Sequence, residues 1–137
     1  MNIYKTRAGE LSGTDFYEVR AAAMDVFRKI KRRSRRQPYV RSAYFRKDKI
    51  FLNVFWQHLF DKDNWRERMK RLKYFESAIE LLEYSRFKPE SKINPNKRSE
   101  ILHRFIGLSR EGHAFYVQVK ENSLSKKKFL MSIFPKA

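Results

Sequence analysis

Three runs near the C-terminus decide the fold: Ile101-Leu102-His103-Arg104-Phe105-Ile106-Gly107-Leu108, Ala114-Phe115-Tyr116-Val117-Gln118-Val119-Lys120-Glu121 and Lys127-Lys128-Phe129-Leu130-Met131-Ser132-Ile133-Phe134. Each is rich in β-branched and aromatic residues and has the length of a strand. Ser109-Arg110-Glu111-Gly112 separates the first two, and Asn122-Ser123-Leu124-Ser125 the second and third. Both spacers are turn-like, so residues 101–135 read as a three-stranded antiparallel meander.

Upstream, residues 87–100 hold Pro89, Asn94, Pro95 and Asn96 without periodicity and read as a linker. Before it, Trp65, Met69, Leu72, Phe75, Ile79 and Leu82 recur at helical spacing, which places a long helix at 62–85. Val40 to Phe45 and Lys49 to Phe55 read as two strands joined by the polar turn Arg46-Lys47-Asp48. A first long helix is expected at 14–36. Its stripe is Phe16, Val19, Ala23, Phe27 and Ile30; Ser12 and Thr14 offer N-cap oxygens, Asp15 and Glu18 favour a helix N-terminus, and Pro38 ends the helix. Residues 1–13 form an arm. The expected fold is α+β in a single domain, 1–137. Two long helices pack on an antiparallel sheet of about five strands, an N-terminal hairpin plus the C-terminal meander. Phe27, Phe75, Leu82, Ile106, Val117 and Met131 are the expected core.

Composition narrows the function. Lys and Arg number 32 against 15 Asp and Glu, for a net charge of +17, and aromatic residues are 15% of the chain. A disordered basic tail would be poor in aromatics, so this is a folded basic domain whose field attracts polyanions. RNA is the first expected partner, and an acidic antitoxin or inhibitor protein the second. No cysteine is present, which excludes thiolate metal sites and thiol nucleophiles. With no long apolar run and no signal-peptide pattern, the chain reads as cytoplasmic, with no membrane partner. The densest charge is at the end of the first helix. Arg28, Lys29, Lys31, Arg32, Arg33, Arg35 and Arg36 are expected to contact phosphates.

Alternation sorts the meander by face. Phe115, Val117 and Val119 point one way; Tyr116, Gln118 and Lys120 point the other. Taking 109–112 as a four-residue turn pairs Leu108 with His113 and Ile106 with Phe115. Leu102, Arg104 and Ile106 then share the apolar face, while His103 shares the face of Tyr116, Gln118 and Lys120. With Phe129, Met131 and Ile133 in the core, Lys128 and Ser132 join that second face. A register shift of one residue inverts part of this assignment. Few His residues and no carboxylate pair at ligand spacing leave no metal site and no cofactor expected. Arg104, on the apolar side, reads as a snorkelling or ion-paired residue, with Glu80 or Glu83 as its partner. His58 lies between a strand and a helix start and reads as a structural histidine or a reserve acid–base group.

The segments Leu102-His103-Arg104-Phe105-Ile106-Gly107, Phe115-Tyr116-Val117-Gln118-Val119-Lys120 and Phe129-Leu130-Met131-Ser132-Ile133-Phe134-Pro135 resemble the phage-encoded branch of the barnase–EndoU–colicin–RelE-like (BECR fold) nucleases. The resemblance implies a metal-independent ribonuclease toxin of a mobile element, with active residues drawn from His, Arg, Lys, Tyr and Ser on the sheet. On that reading the 2′-hydroxyl attacks the adjacent phosphate and leaves a cyclic phosphate. His103 is then the general acid or base and Tyr116 a second proton carrier or stacking platform. Lys120 and Arg104 stabilise the phosphorane, Ser132 donates a hydrogen bond and His58 stands in reserve. Lys128 adds a phosphate contact. The alternative is a non-catalytic RNA- or DNA-binding accessory protein of a mobile element, because the same face serves both.

Overall fold

The structure, a computed structural model, describes residues 2–34, 36–60 and 65–136, without the side chains of His58, Phe60 and Trp65. Among these residues the chain runs β1 (Tyr4–Lys5), α1 (Phe16–Arg33), β2 (Tyr39–Arg41), β3 (Lys49–Phe51), α2 (Asn53–Phe60), α3 (Trp65–Leu72), α4 (Phe75–Tyr84), β4 (Glu90–Ile93), β5 (Glu100–Leu108), β6 (Ala114–Asn122) and β7 (Lys128–Pro135). The strands form one sheet in the order β1-β5-β6-β7-β3-β2, with β4 also on β5.

This corrects the expected five-stranded antiparallel sheet under two long helices. The sheet has seven strands and is mixed, because β1 runs parallel to β5 and β3 parallel to β7. Three helices lie between β3 and β7, long enough an excursion for a parallel return. The outer edge of β5 is divided. β1 covers its C-terminal end and β4, which lies inside the expected linker, covers its N-terminal half. Both short segments close an edge that would otherwise stay open.

Only α1 is long, at 18 residues. Asp15 caps it, its carboxylate accepting from the Glu18 N–H at 2.9 Å. The second expected helix is broken into α3 and α4 at Lys73 and Tyr74. There the Tyr74 N–H turns to the Arg71 carbonyl, and the Lys73 carbonyl instead accepts from the Leu11 N–H at 2.9 Å. The N-terminal arm thus occupies the break. It is anchored further along by Glu80, whose carboxylate accepts from the backbone N–H groups of Arg7 and Ala8 and from the Tyr4 hydroxyl. Burial pushes the Tyr4 phenol up to about 12, helped by the hydrogen bond and charge of Glu80. Glu80 is therefore not a partner of Arg104, and Glu83 lies 3.9 Å from Arg33 instead.

The core forms between one face of the sheet and the helices. Phe105, Phe115, Val117, Val119, Leu130 and Ile133 meet Val19, Ala23, Phe55, Phe75, Leu81 and Leu82 there. Of the six expected core residues, Phe75, Leu82 and Val117 are buried and Phe27 packs against the cluster. Ile106 and Met131 are only half-buried, and the cause of their displacement is register.

Ser109 donates its N–H to the His113 carbonyl at 2.9 Å, so the hairpin loop is the three residues Arg110, Glu111 and Gly112. Gly112 sits at φ +89, the left-handed position that such loops require. Shortening the loop by one residue pairs Leu108 with Ala114, Gly107 with Phe115 and Ile106 with Tyr116. Every side chain of β5 therefore faces opposite to the expected side. His103, Phe105 and Gly107 turn to the core, whereas Leu102, Arg104 and Ile106 turn outward. At Gly107 a Cβ would come within 2.7 Å of Leu81 and Phe115, so the approach of α4 to the sheet depends on its absence.

Candidate nucleic-acid interface

The outer face of the sheet is laid out in cross-strand rows. One row reads Leu102, Lys120, Phe129, Phe51 and Tyr39 across five strands. A second is Arg104, Gln118 and Ser132, and a third Ile106, Tyr116 and Phe134. A β-bulge between Gln118 and Val119 keeps Ser132 opposite Gln118 but brings Leu130 opposite Val119. Leu130 and Lys128 therefore turn inward and Phe129 outward, the reverse of the expected assignment.

The aromatic rings of this face touch one another and carry cations. Tyr39 and Phe51 lie 6.1 Å apart between centroids, Phe51 and Phe129 5.8 Å, and Tyr116 and Phe134 5.3 Å. The Arg104 guanidinium lies 5.2 Å from the centre of the Tyr116 ring and 5.6 Å from that of Phe134. Arg71, from α3, approaches Phe134 to 5.6 Å. Lys120 sits over Phe129, and both Lys49 and Arg41 over Tyr39. These rings are half-buried, with part of each surface still facing solvent. Lys120 also lies 3.8 Å from Glu100. Burial pushes the Glu100 carboxyl up, but the Asn94 hydrogen bond and the charges of Lys120 and Lys97 outweigh it and hold the group below its usual range.

The basic end of α1 adjoins this face. Arg33, Arg36, Gln37, Tyr39, Lys49, Phe51 and Lys127 line one open groove of about 670 Å³. Arg28, Lys29, Lys31, Arg32, Arg33 and Arg36 are all exposed, and Arg35 lies outside the described residues. Among the described residues, the ion pairs of Arg28 and Arg33 are long, 3.8 Å to Asp25 and 3.9 Å to Glu83.

The structure therefore divides the residues singled out from the sequence. Arg104, Tyr116, Lys120 and Ser132 share the outer face, now with Arg104 among them. His103 does not. It is 7% exposed and packs edge-on against Phe45 on the core side. Its Nδ1 is 2.7 Å from the Ser91 hydroxyl on β4 and its Nε2 2.7 Å from Glu121 Oε1. All three groups are satisfied when Ser91 donates to Nδ1 and Nε2–H donates to Glu121. Lys128 continues the chain, with Nζ 3.8 Å from Glu121 and donating to Asp48 at 2.8 Å and to the Lys126 carbonyl at 3.1 Å. At 4% exposure it is an internal ion-pair partner rather than a phosphate contact. The side chain of His58, on α2, lies outside the described residues.

Tyr39, Phe51, Phe129, Phe134 and Arg71 also belong to this candidate face and are not among the site residues read from the sequence. The available signal was the apolar excess of the C-terminal run, where Phe129-Leu130-Met131 and Ile133-Phe134 supply more large side chains than one sheet face can bury. Among the described residues no three His, Asp or Glu side chains gather as metal ligands, and no helix is long and apolar enough to cross a membrane. No family model, curated protein or solved structure matches the chain.

Proposed function

We propose that the protein binds single-stranded nucleic acid, RNA in the first instance, along the outer face of its sheet. The observation that carries this reading is the interleaving of rings and cations across that face, continuous with the arginines at the end of α1. Unstacked bases need π surfaces and the linking phosphates need positive charge, and this face offers both at strand spacing. Bases inside a duplex cannot reach such rings, so single strands are the preferred form. The net charge of +17 steers the encounter. An acidic protein would compete for the same surface.

Cleavage is a second reading, favoured by one juxtaposition, the Arg104 guanidinium 5.2 Å from the Tyr116 ring. With His103 on the opposite face, in-line attack by a 2′-hydroxyl would rely on Tyr116 for proton transfer. Arg104, Lys120 and Ser132 would stabilise the phosphorane. Fluorescence anisotropy with single-stranded and duplex RNA over a salt series tests binding. The expected result is tighter binding of the single strand, with log affinity falling linearly as log salt rises. Undetectable binding at low salt, or equal affinity for both forms, overturns the proposal. The same RNA incubated in EDTA tests cleavage: a cyclic-phosphate end would identify 2′-hydroxyl attack, and its loss in Tyr116→Phe would assign that chemistry to this face.

A further inference from the structure

A recess of about 340 Å³ opens where β7 has lost its strand neighbour. β3 pairs with β7 only as far as Phe129, and beyond it α2 and α3 border the strand. Phe55, Leu59, Met131, Ile133 and Phe134 give the recess apolar walls, and Gln118, Ser132 and Arg71 contribute polar groups. The bulge is what shapes it, since the extra residue in β7 sets Met131 beside Ser132 at the mouth. Two of these polar groups, Gln118 and Ser132, are barely used among the described residues. The Gln118 amide makes one long contact, Nε2 to Met131 Sδ at 3.8 Å, and the Ser132 hydroxyl has no hydrogen-bond partner among the described residues. Arg71 is oriented by Glu67, 3.4 Å from its Nε, and by the Phe134 ring.

We propose that this recess is a base-specificity pocket taking one unstacked adenine from the bound strand. The inference rests on the single-strand reading above and adds a ligand preference to it. The volume falls in the range of small-ligand sites, and apolar walls with a few convergent polar groups are the usual make-up of such sites. A carboxamide presents a donor and an acceptor side by side, which complements the amino group and ring nitrogen of adenine. Ser132, directly opposite Gln118, supplies a further hydrogen bond to the same edge. The Tyr116–Phe134 pair ends the aromatic row at the rim, so a strand stacked on it delivers its next base over the edge of β7. Arg71 then stands where the flanking phosphate passes.

The experiment measures anisotropy of a short oligouridine and of the same strand carrying one central A, C or G. The wild-type protein is expected to bind the A-containing strand about 10-fold more tightly than oligouridine. Gln118→Leu should bring all four strands within about 2-fold of one another while leaving the salt slope unchanged. Ser132→Ala, which removes one hydrogen bond, should reduce the preference about 3-fold. Urea denaturation of each variant checks that the fold is intact. Equal wild-type affinity for all four strands, with a normal salt slope, overturns the pocket and leaves the binding surface standing. A preference that survives Gln118→Leu, or one for another base, overturns the adenine assignment. Failure of every strand to bind overturns the surface and the pocket together.

Discussion

His103→Ala separates a structural role from a catalytic one. The ring is 7% exposed and bridges Ser91 and Glu121 through two 2.7 Å hydrogen bonds. Removing the donor to the Glu121 carboxylate costs about 1.5–3 kcal/mol, the range for a hydrogen bond to a charged group. Losing the ring and its edge-on contact with Phe45 adds about 1–2 kcal/mol of packing. The variant should therefore be less stable by about 2.5–5 kcal/mol, and its melting temperature lower by roughly 9–17 °C for a domain of this size. Urea denaturation should show a lower midpoint at unchanged slope. His103→Gln keeps a donor for Glu121 and an acceptor for Ser91, and should recover about half of the loss. RNA affinity, measured well below the melting transition, should match wild type in both, because the outer face is untouched. The reasoning is refuted if His103→Ala stays within about 1 kcal/mol of wild-type stability and instead abolishes cleavage of RNA. In that case the ring would be reaching substrate.

Three further outcomes follow from the geometry. Replacing Arg32, Arg33 and Arg36 together by Ala should weaken RNA binding and flatten the salt slope by about two to three counterions, read from a log–log plot of affinity against salt; an unchanged slope would remove the α1 end from the interface. Phe51→Ala and Phe129→Ala should each cost about 1–3 kcal/mol of single-strand affinity, with little effect on residual duplex binding, as expected for lost stacking. Because the Tyr4 phenol titrates at about 12 in the folded chain and near 10 when unfolded, the unfolded state releases its proton first. The stabilisation from this protonated phenol is complete below pH 10 and is lost as pH rises toward 12. Tyr4→Phe should shrink that alkaline loss in denaturation curves taken across the same window.

Much of the element order is legible from the residues. Asp15 and Glu18 mark the start of α1, Pro38 lies beyond its end, and the turns at 109–112 and 122–125 separate the three C-terminal strands. The break between α3 and α4 is not legible, because no Gly or Pro marks it. Its cause is the arm, whose Leu11 N–H occupies the Lys73 carbonyl from a distant part of the sequence. β4 is hidden for a similar reason. Glu90-Ser91-Lys92-Ile93 has little strand character of its own and is held by pairing with β5. The register of β5 has one local marker, since Gly112 four residues before Tyr116 fits a three-residue loop with glycine in the left-handed position. Nothing local decides it, however, because both faces of β5 carry large apolar side chains, Leu102 and Ile106 on one and Phe105 on the other.

That ambiguity is itself informative about the site. A sheet with one wet face normally alternates apolar and polar residues, and the alternation fixes its register. Here the outer face keeps Tyr39, Phe51, Tyr116, Phe129 and Phe134 half-buried, although the helices already fill the inner face. Rings left partly in water forgo part of the roughly 1.5–3 kcal/mol that full burial of such a side chain brings. Lys and Arg side chains cover them instead, and cations are a poor cover for an apolar partner protein but a suitable one for phosphates. Net charge alone would permit any polyanion to bind at the end of α1. On the proposed reading, the ring-and-cation rows suit a ligand that offers flat π faces and phosphates in alternation, as an unpaired nucleic-acid strand does.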